Sequence, residues 1–222
     1  KHLRPPQYSE LLRIKEATIR LLEGNSAISD GEIKKSPRPY LVITSVTRDD
    51  LTDGGAGHFA DCIEILKGLE YNLRIETLVP DFLGKKKSIK KVVSARPDVF
   101  SHNIETVPRL FPCVRPKAVY ERSLDVIRYA KELNPSVFTK SGLMVGFGET
   151  RDEVYNVIRD LKKAGCDILT IGQYLKPEAH CLEVAEFLHP NEFVKFSEWA
   201  MELGFKTFSC SPFTRSSQMS PS

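Results

Sequence analysis

The sequence predicts an α/β fold built on a parallel sheet, and three observations carry that prediction. Helix-like and strand-like stretches alternate strictly: a helix first, then about five strand–helix units, which calls for right-handed crossovers between parallel strands, open or curled into a barrel. Residues Tyr40 to Val46 form an aliphatic, β-branched run without polar alternation, as suits a strand buried on both faces. Each apolar run opens directly into a polar loop, which is where parallel folds place their chemistry. Those loops are Thr47-Arg48-Asp49-Asp50, Pro80-Asp81, His102-Asn103-Ile104-Glu105, Gly146 to Glu149, and Gln173-Tyr174.

Taken in order, Lys1 to Pro6 carries two prolines and excludes regular helix. From Tyr8 to about Glu23, Leu11, Leu12, Ile14, Ile19, Leu21 and Leu22 fall near helical spacing, with Gly24-Asn25 as a stop. Ser29 to Pro39 is polar and reads as a loop. The strand at 40–46 follows, then a helix from Ala56 to Leu69 with Phe59, Ile63, Leu66 and Leu69 on one face. Leu73 to Val79 reads as a second strand ended by Asp81 to Gly84, and Ser88 to Ala95 as a short helix. Val99 to Ser101 is a third strand, Tyr120 to Leu133 a helix, and Val137 to Val145 a fourth strand. Thr150 caps a helix to Ala164, with Glu153 completing a capping box. Asp167 to Ile171 is a fifth strand followed by Gly172-Gln173-Tyr174. A helix starts near Asn191 and ends at Leu203-Gly204, Phe205 to Ser209 makes a further strand, and Ser211 to Ser222 is a polar, loose tail. The chain thus divides into an N-terminal helix and linker (1–39), a barrel or open-sheet portion (40–210) and a tail (211–222).

A chain of 222 residues, 41% hydrophobic and 27% charged, buries a full core without disulfides. The net charge of +3 is small, and the run Lys85-Lys86-Lys87 with Lys90-Lys91 has no interleaved aromatics, so nucleic acid is not expected as a partner. No stretch has the length of a membrane span or the pattern of a signal peptide. Five widely spaced cysteines argue against a disulfide framework and for a reducing compartment. A Rossmann site is excluded as well, because Gly146-x-Gly148 comes late and has Arg151 where a third glycine is required.

Several clusters can carry chemistry, each with a plainer alternative. Arg48-Asp49-Asp50 can hold an amine, a carboxylate or a ribose, or can be a salt-bridged loop capping a helix. His102, Asn103 and Glu105 sit within four residues at one strand end and can be a site or simple loop hydrogen bonding. Lys140, inside an apolar strand, can form a Schiff base or can pair with an acid such as Glu105. Cys62, Cys113, Cys166, Cys181 and Cys210 read as structural, and His180-Cys181 lacks the partners of a zinc site.

Together the motifs resemble the lipoyl synthase family of radical S-adenosylmethionine enzymes. The resemblance rests on Val42 to Gly55, Leu78 to Phe82, Phe100 to Pro108, Lys140 to Glu149, Asp167 to Leu175 and Arg215-Ser216-Ser217, in the family's order. It implies a partial (β/α)6 TIM-like barrel missing its first strand in this chain. It also implies S-adenosylmethionine and two [4Fe–4S] clusters as cofactors, and insertion of two sulfur atoms into a protein-bound octanoyl chain. Cofactor contacts are then expected from Thr44, Ser45, Arg48, Asp49, Asn103, Glu105, Gly146, Gln173 and Tyr174. Substrate contacts are expected from Asp50, His102, Lys140 and Arg215, and a cluster ligand from Ser217 in preference to Ser216. The implied partners are an octanoylated lipoyl-carrier domain or H-protein and an electron donor of ferredoxin or flavodoxin type, in a bacterial cytoplasm, mitochondrion or plastid.

Two departures qualify the resemblance. The family's two cysteine triplets, one of them C-x-x-x-C-x-x-C, are absent, although thiolates are what hold such clusters. Gln218 stands where the family has a tyrosine after Arg215-Ser216-Ser217. The sequence is therefore read as a downstream piece that has lost the cysteine-bearing strand, or as a cluster-free relative. A non-catalytic barrel scaffold, a Lys140 Schiff-base lyase and a biotin synthase-like enzyme are the competing readings.

Overall fold

A computed structural model describes residues 7–25 and 38–218. The expectations for Lys1 to Pro6, for most of the loop at 29–39 and for residues 219–222 lie outside the described residues. The chain divides into two compact units, Lys1–Asp98 and Val99–Ser222.

The first unit holds α1 (Tyr8–Asn25), β1 (Tyr40–Thr44), α2 (Ala56–Lys67), β2 (Arg74–Leu78) and α3 (Lys86–Ser94). β1 and β2 run parallel, in register from Tyr40 opposite Arg74 to Thr44 opposite Leu78. β1 stops two residues before the expected Val46, because the ladder to β2 ends at Leu78. α2 buries Phe59, Ile63 and Leu66, each such side chain contributing about 1.5–3 kcal/mol over an exposed position. Its start is fixed by Asp53, whose carboxylate accepts the Gly55 and Gly57 amides at 3.0 and 2.9 Å. Gly55 takes the left-handed conformation that lets the chain turn into the helix (φ 86°).

The second unit holds β3 (Val99–Ser101), α4 (Phe111–Val114), α5 (Tyr120–Leu133), β4 (Phe138–Val145), α6 (Arg151–Lys163), β5 (Ile168–Gln173), α7 (Pro190–Glu202) and β6 (Thr207–Cys210). Its four strands are parallel, each paired with its neighbour in sequence. Leu143 and Val145 of β4, with Leu169 and Ile171 of β5, pack with the buried side chains of α5, α6 and α7. The alternate positions, Gly142 and Met144 of β4 with Thr170 and Gly172 of β5, line a cavity instead. Thr150 and Glu153 form the expected capping box at the start of α6.

Two details differ from the sequence reading. β5 continues to Gln173, because β4 pairs with it as far as Val145 opposite Gln173. Residues 211–214 lie against β5: the Ser211 amide donates to the Ile171 carbonyl at 3.1 Å, and Thr214 is 8% exposed. Polar composition suggested looseness there, but hydroxyls that bond one another bury without penalty. The α/β class with parallel strands, repeated strand by helix, is what the structure shows.

Candidate functional site

In the second unit a cavity of about 190 Å³ opens at the C-terminal ends of β4 and β5. Asn103, Glu105, Thr170, Gln173 and Arg215 supply its polar lining, and Met144 and Leu175 supply apolar side chains. Three features of the chain make the space. The stretch after β3 is sewn onto β4: the Ile104 and Glu105 amides both donate to the Gly142 carbonyl, and the Met144 amide donates to the Glu105 carbonyl at 2.9 Å. Glu105 takes a left-handed backbone (φ 67°) at the point where it lines the cavity. Gly142 has no side chain because a Cβ there would lie 2.9 Å from Asn103 Oδ1 and 3.0 Å from Thr170 Oγ1.

The electrostatics of the lining are set by burial. Burial pushes the Glu105 carboxyl above the ordinary range, with the Asn103 amide and the Arg115 guanidinium pulling the other way. Arg115 also donates to the Asn103 carbonyl at 3.0 Å and lies 5.9 Å from the Phe111 ring centroid. Asn103 Oδ1 is buried and accepts no hydrogen bond from the described residues. A buried acceptor without a donor, beside a carboxyl, a threonine hydroxyl and an arginine, suits a ligand that carries hydroxyl or amine hydrogens.

Beside this cavity lies a turn whose own polar groups are satisfied internally. The Glu149 carboxylate accepts the Gly146 and Phe147 amides at 2.6 and 2.9 Å, and Arg109 donates to the Gly148 carbonyl at 2.9 Å. Arg109 also grips Glu153 with Nε and Nη2 at 2.7 and 3.0 Å, holding that carboxylate down at about 2. The Gln173 side chain is fully engaged, its amide donating to the Tyr174 and Glu186 carbonyls and its oxygen accepting from the Leu188 amide. Tyr174 stacks on Phe147 at 4.1 Å and donates to the Leu182 carbonyl. Gly146 and Tyr174 are not lining residues of the cavity, whereas Gln173 is.

Other expected site residues fall elsewhere. His102 is buried, and its amide donates to the Lys140 carbonyl. Lys140 is 0% exposed and is not a lining residue. Lys140 lies opposite Ser101 and Ile168, whereas Glu105 bridges Leu143, roughly 10 Å further along the strand. Ser216 lines the cavity and Ser217 is exposed.

The first unit has its own cavity, of about 500 Å³, with Thr44, Ser45 and Arg48 in its lining together with His58, Glu10 and Phe59. Arg48 donates to both carboxylate oxygens of Asp50 at 2.8 and 2.7 Å, the salt-bridged loop foreseen as its plainer role. Asp49 and Asp50 are exposed on the turn that follows β1.

Sequence reasoning missed Thr170, Gly172 and Thr214, whereas the resemblance had offered the stretch from Gly142 to Glu149 for backbone approach to the adenosine part. The signal available for Gly172 was a glycine at the end of an apolar strand, which marks close approach of a ligand or another backbone. Among the described residues there is no group of three or more His, Cys, Asp or Glu that could hold a metal ion. Burial raises the Cys62, Cys166 and Cys210 thiols to about 11, about 12 and about 11, which makes them unreactive at neutral pH. Among the described residues no helix is long and apolar enough to cross a membrane.

Comparison with known proteins follows the same line. A profile of the radical SAM superfamily matches residues 31–161. The lipoyl synthase of Caldicellulosiruptor bescii is 56% identical over 180 residues, which are 81% of this chain and 62% of that protein. The lipoyl synthase of Aliivibrio fischeri is 52% identical over 179 residues, 80% of this chain and 56% of that protein. The chain therefore spans less than two thirds of the length of these relatives. Among solved structures, methylornithine synthase is similar with a TM-score of 0.62 at 13% identity, covering 97% of this chain and 66% of that one, a likeness of fold.

Proposed function

Given that the chain belongs to the radical SAM superfamily, we propose that it is the barrel portion of a lipoyl synthase. The cavity of the second unit would be its ligand-holding part. The observation that carries this reading is that Asn103, Glu105, Gln173 and Arg215, drawn from separate loops and strand ends, line one cavity. The 56% identity to a lipoyl synthase supplies the reaction class.

S-adenosylmethionine, when bound, supplies one-electron chemistry at unactivated C–H bonds. The chain's own residues bind and orient. Asn103 Oδ1 accepts a hydrogen bond from a hydroxyl of the adenosine part. Thr170 adds a hydroxyl, and Glu105, its carboxyl raised by burial, keeps its proton more readily and can donate with it. Met144 and Leu175 keep water from the apolar side, where the octanoyl chain would lie. Arg215 and Ser216 face the substrate end. Gly146, Gln173 and Tyr174 support this wall through the turn and loop they fix. His102 and Lys140, both buried, are assigned to the substrate by the resemblance alone. Thr44, Ser45, Arg48, Asp49 and Asp50 are assigned to cofactor and substrate by the resemblance alone.

The iron–sulfur clusters do not fit the residues at hand. With no ligand group among the described residues, Ser217 would be an isolated oxygen ligand. The protein-bound octanoyl substrate, the carrier domain or H-protein that bears it and the ferredoxin- or flavodoxin-type donor all belong to this proposal.

A chimera tests it. Residues 40–217 replace the corresponding span of the Caldicellulosiruptor bescii enzyme, and lipoyl formation on an octanoylated carrier is measured after anaerobic cluster loading. Two-sulfur insertion within about tenfold of the parent enzyme is expected, with at least a tenfold loss on Asn103→Ala. A folded, cluster-loaded chimera that makes no lipoyl group would overturn the assignment.

A further inference from the structure

Residues 209–216 follow an unusual course for a polar C-terminal segment. After β6 the chain turns back over the end of β5. The Ser211 amide donates to the Ile171 carbonyl at 3.1 Å, and the Gln173 amide donates to the Pro212 carbonyl at 3.3 Å. At the centre of the turn lies the Thr214 hydroxyl, with Ser209 Oγ at 3.0 Å and Ser211 Oγ at 2.9 Å. Each of these hydroxyls can donate once and accept twice, so the three can bond one another, with Thr214 buried and the two serines half-buried. The segment rests on Gly172. A Cβ at that position would run into the Thr214 carbonyl oxygen, a backbone atom that cannot swing aside. The requirement is for space, since the torsions of Gly172 are open to any residue. The same carbonyl receives Arg215 Nη1 at 2.9 Å, and Thr214, Arg215 and Ser216 form one wall of the cavity.

We infer that Ser209, Ser211 and Thr214 form a hydroxyl latch seated on Gly172, which holds the C-terminal segment as a wall of the ligand cavity. Thr214 and Gly172 are on this account positioning residues: they place Arg215 and Ser216 and do not themselves react. That the segment is held rests on the geometry alone. That it faces the ligand of a lipoyl synthase rests on the function proposed above.

The test uses the whole 222-residue chain. Trypsin cleavage between Arg215 and Ser216 is followed by intact mass, and each rate is divided by that of a synthetic peptide 209–222, which carries the same substitution for the Thr214 variants and the parent sequence for Gly172→Ala. Cleavage of a docked segment requires local opening, so this ratio reports the population that has undocked. Thr214→Val keeps the shape and removes the shared hydroxyl, and should raise the ratio about tenfold or more. Thr214→Ser keeps the hydroxyl and should stay within about twofold of the parent chain. Gly172→Ala should raise the ratio at least as much as Thr214→Val, and if it fails to fold Thr214→Val decides alone. Equal ratios for the parent chain and a folded Thr214→Val variant, or a Thr214→Ser variant cut as fast as the valine one, would overturn the latch. S-adenosylhomocysteine binding by calorimetry separates the two claims. A parent chain that does not bind it counts against the proposed function and leaves the cleavage ratios to decide the latch.

Discussion

Gly146 and Gly148 stand two residues apart with the same backbone demand and different surroundings. Both have positive φ, 113° and 92°, but a Cβ at Gly146 would strike the Gln173 amide and the Glu186 carbonyl, whereas one at Gly148 meets only Ala185 at 3.6 Å. Gly148→Ala should therefore cost torsional strain of about 1–2 kcal/mol, and Gly146→Ala more by a further 1–3 kcal/mol or so, as overpacking does. Urea denaturation of the two variants checks the order, and equal midpoints would contradict it. Glu149 belongs to the same scale. Its carboxylate holds two amides of the turn, so Glu149→Gln should cost about 1.5–3 kcal/mol, read in the same titration. The two glycines and Glu149 were visible in the sequence, but their work was not. The resemblance offered Gly146 to a cofactor, and in the fold its amide is given to Glu149.

At the scale of elements, β5 is anchored at its start by Asp167. Burial, which would push this carboxyl up, is outweighed by Lys131, Lys206 and the Thr139 amide, and it titrates below the ordinary aspartate range. Lys131 Nζ and Lys206 Nζ lie 2.6 and 2.9 Å from its two oxygens. A carboxylate whose folded pKa is depressed stabilises the fold fully above the unfolded value of about 3.9, and the contribution is lost as pH falls through the folded value. Asp167→Asn should accordingly lower stability by about 1.5–3 kcal/mol at pH 7, and the difference from the parent chain should shrink below about pH 4. Chemical denaturation at pH 7 and pH 3 measures both, and a difference that grew on acidification would refute the assignment. Where capping and register are local, the sequence was legible: the Thr150–Glu153 box begins α6 as read, and Thr150→Ala should cost about 1 kcal/mol by thermal melting. Where an end depends on a neighbouring strand, as at Thr44 or Gln173, pairing decided and the single chain gave no warning.

For the molecule as a whole, the strict alternation of elements was enough to predict α/β class and parallel strands, because crossovers leave few other arrangements. The site was half legible. Asn103 and Glu105 stood out by chemistry at a strand end, while Thr170 and Thr214 did not, since a buried hydroxyl becomes a site residue only through what the fold sets opposite it. All five cysteines are among the described residues, and no ligand cluster exists there. Anaerobic reconstitution of this chain alone should leave iron well below one [4Fe–4S] cluster per chain and no cluster absorbance. Stoichiometric, chelator-resistant iron would contradict the reading.

The placement of Asp167 has a practical side. It ties down the N-terminal end of β5, while Gly172, five residues on and roughly 17 Å along the strand, faces the cavity. Changes at sites that far apart and without shared partners combine almost additively. A variant weakened at the ligand wall can thus be rescued from the opposite rim, and the pocket can be re-cut for other ligands while the strand beneath it is separately reinforced.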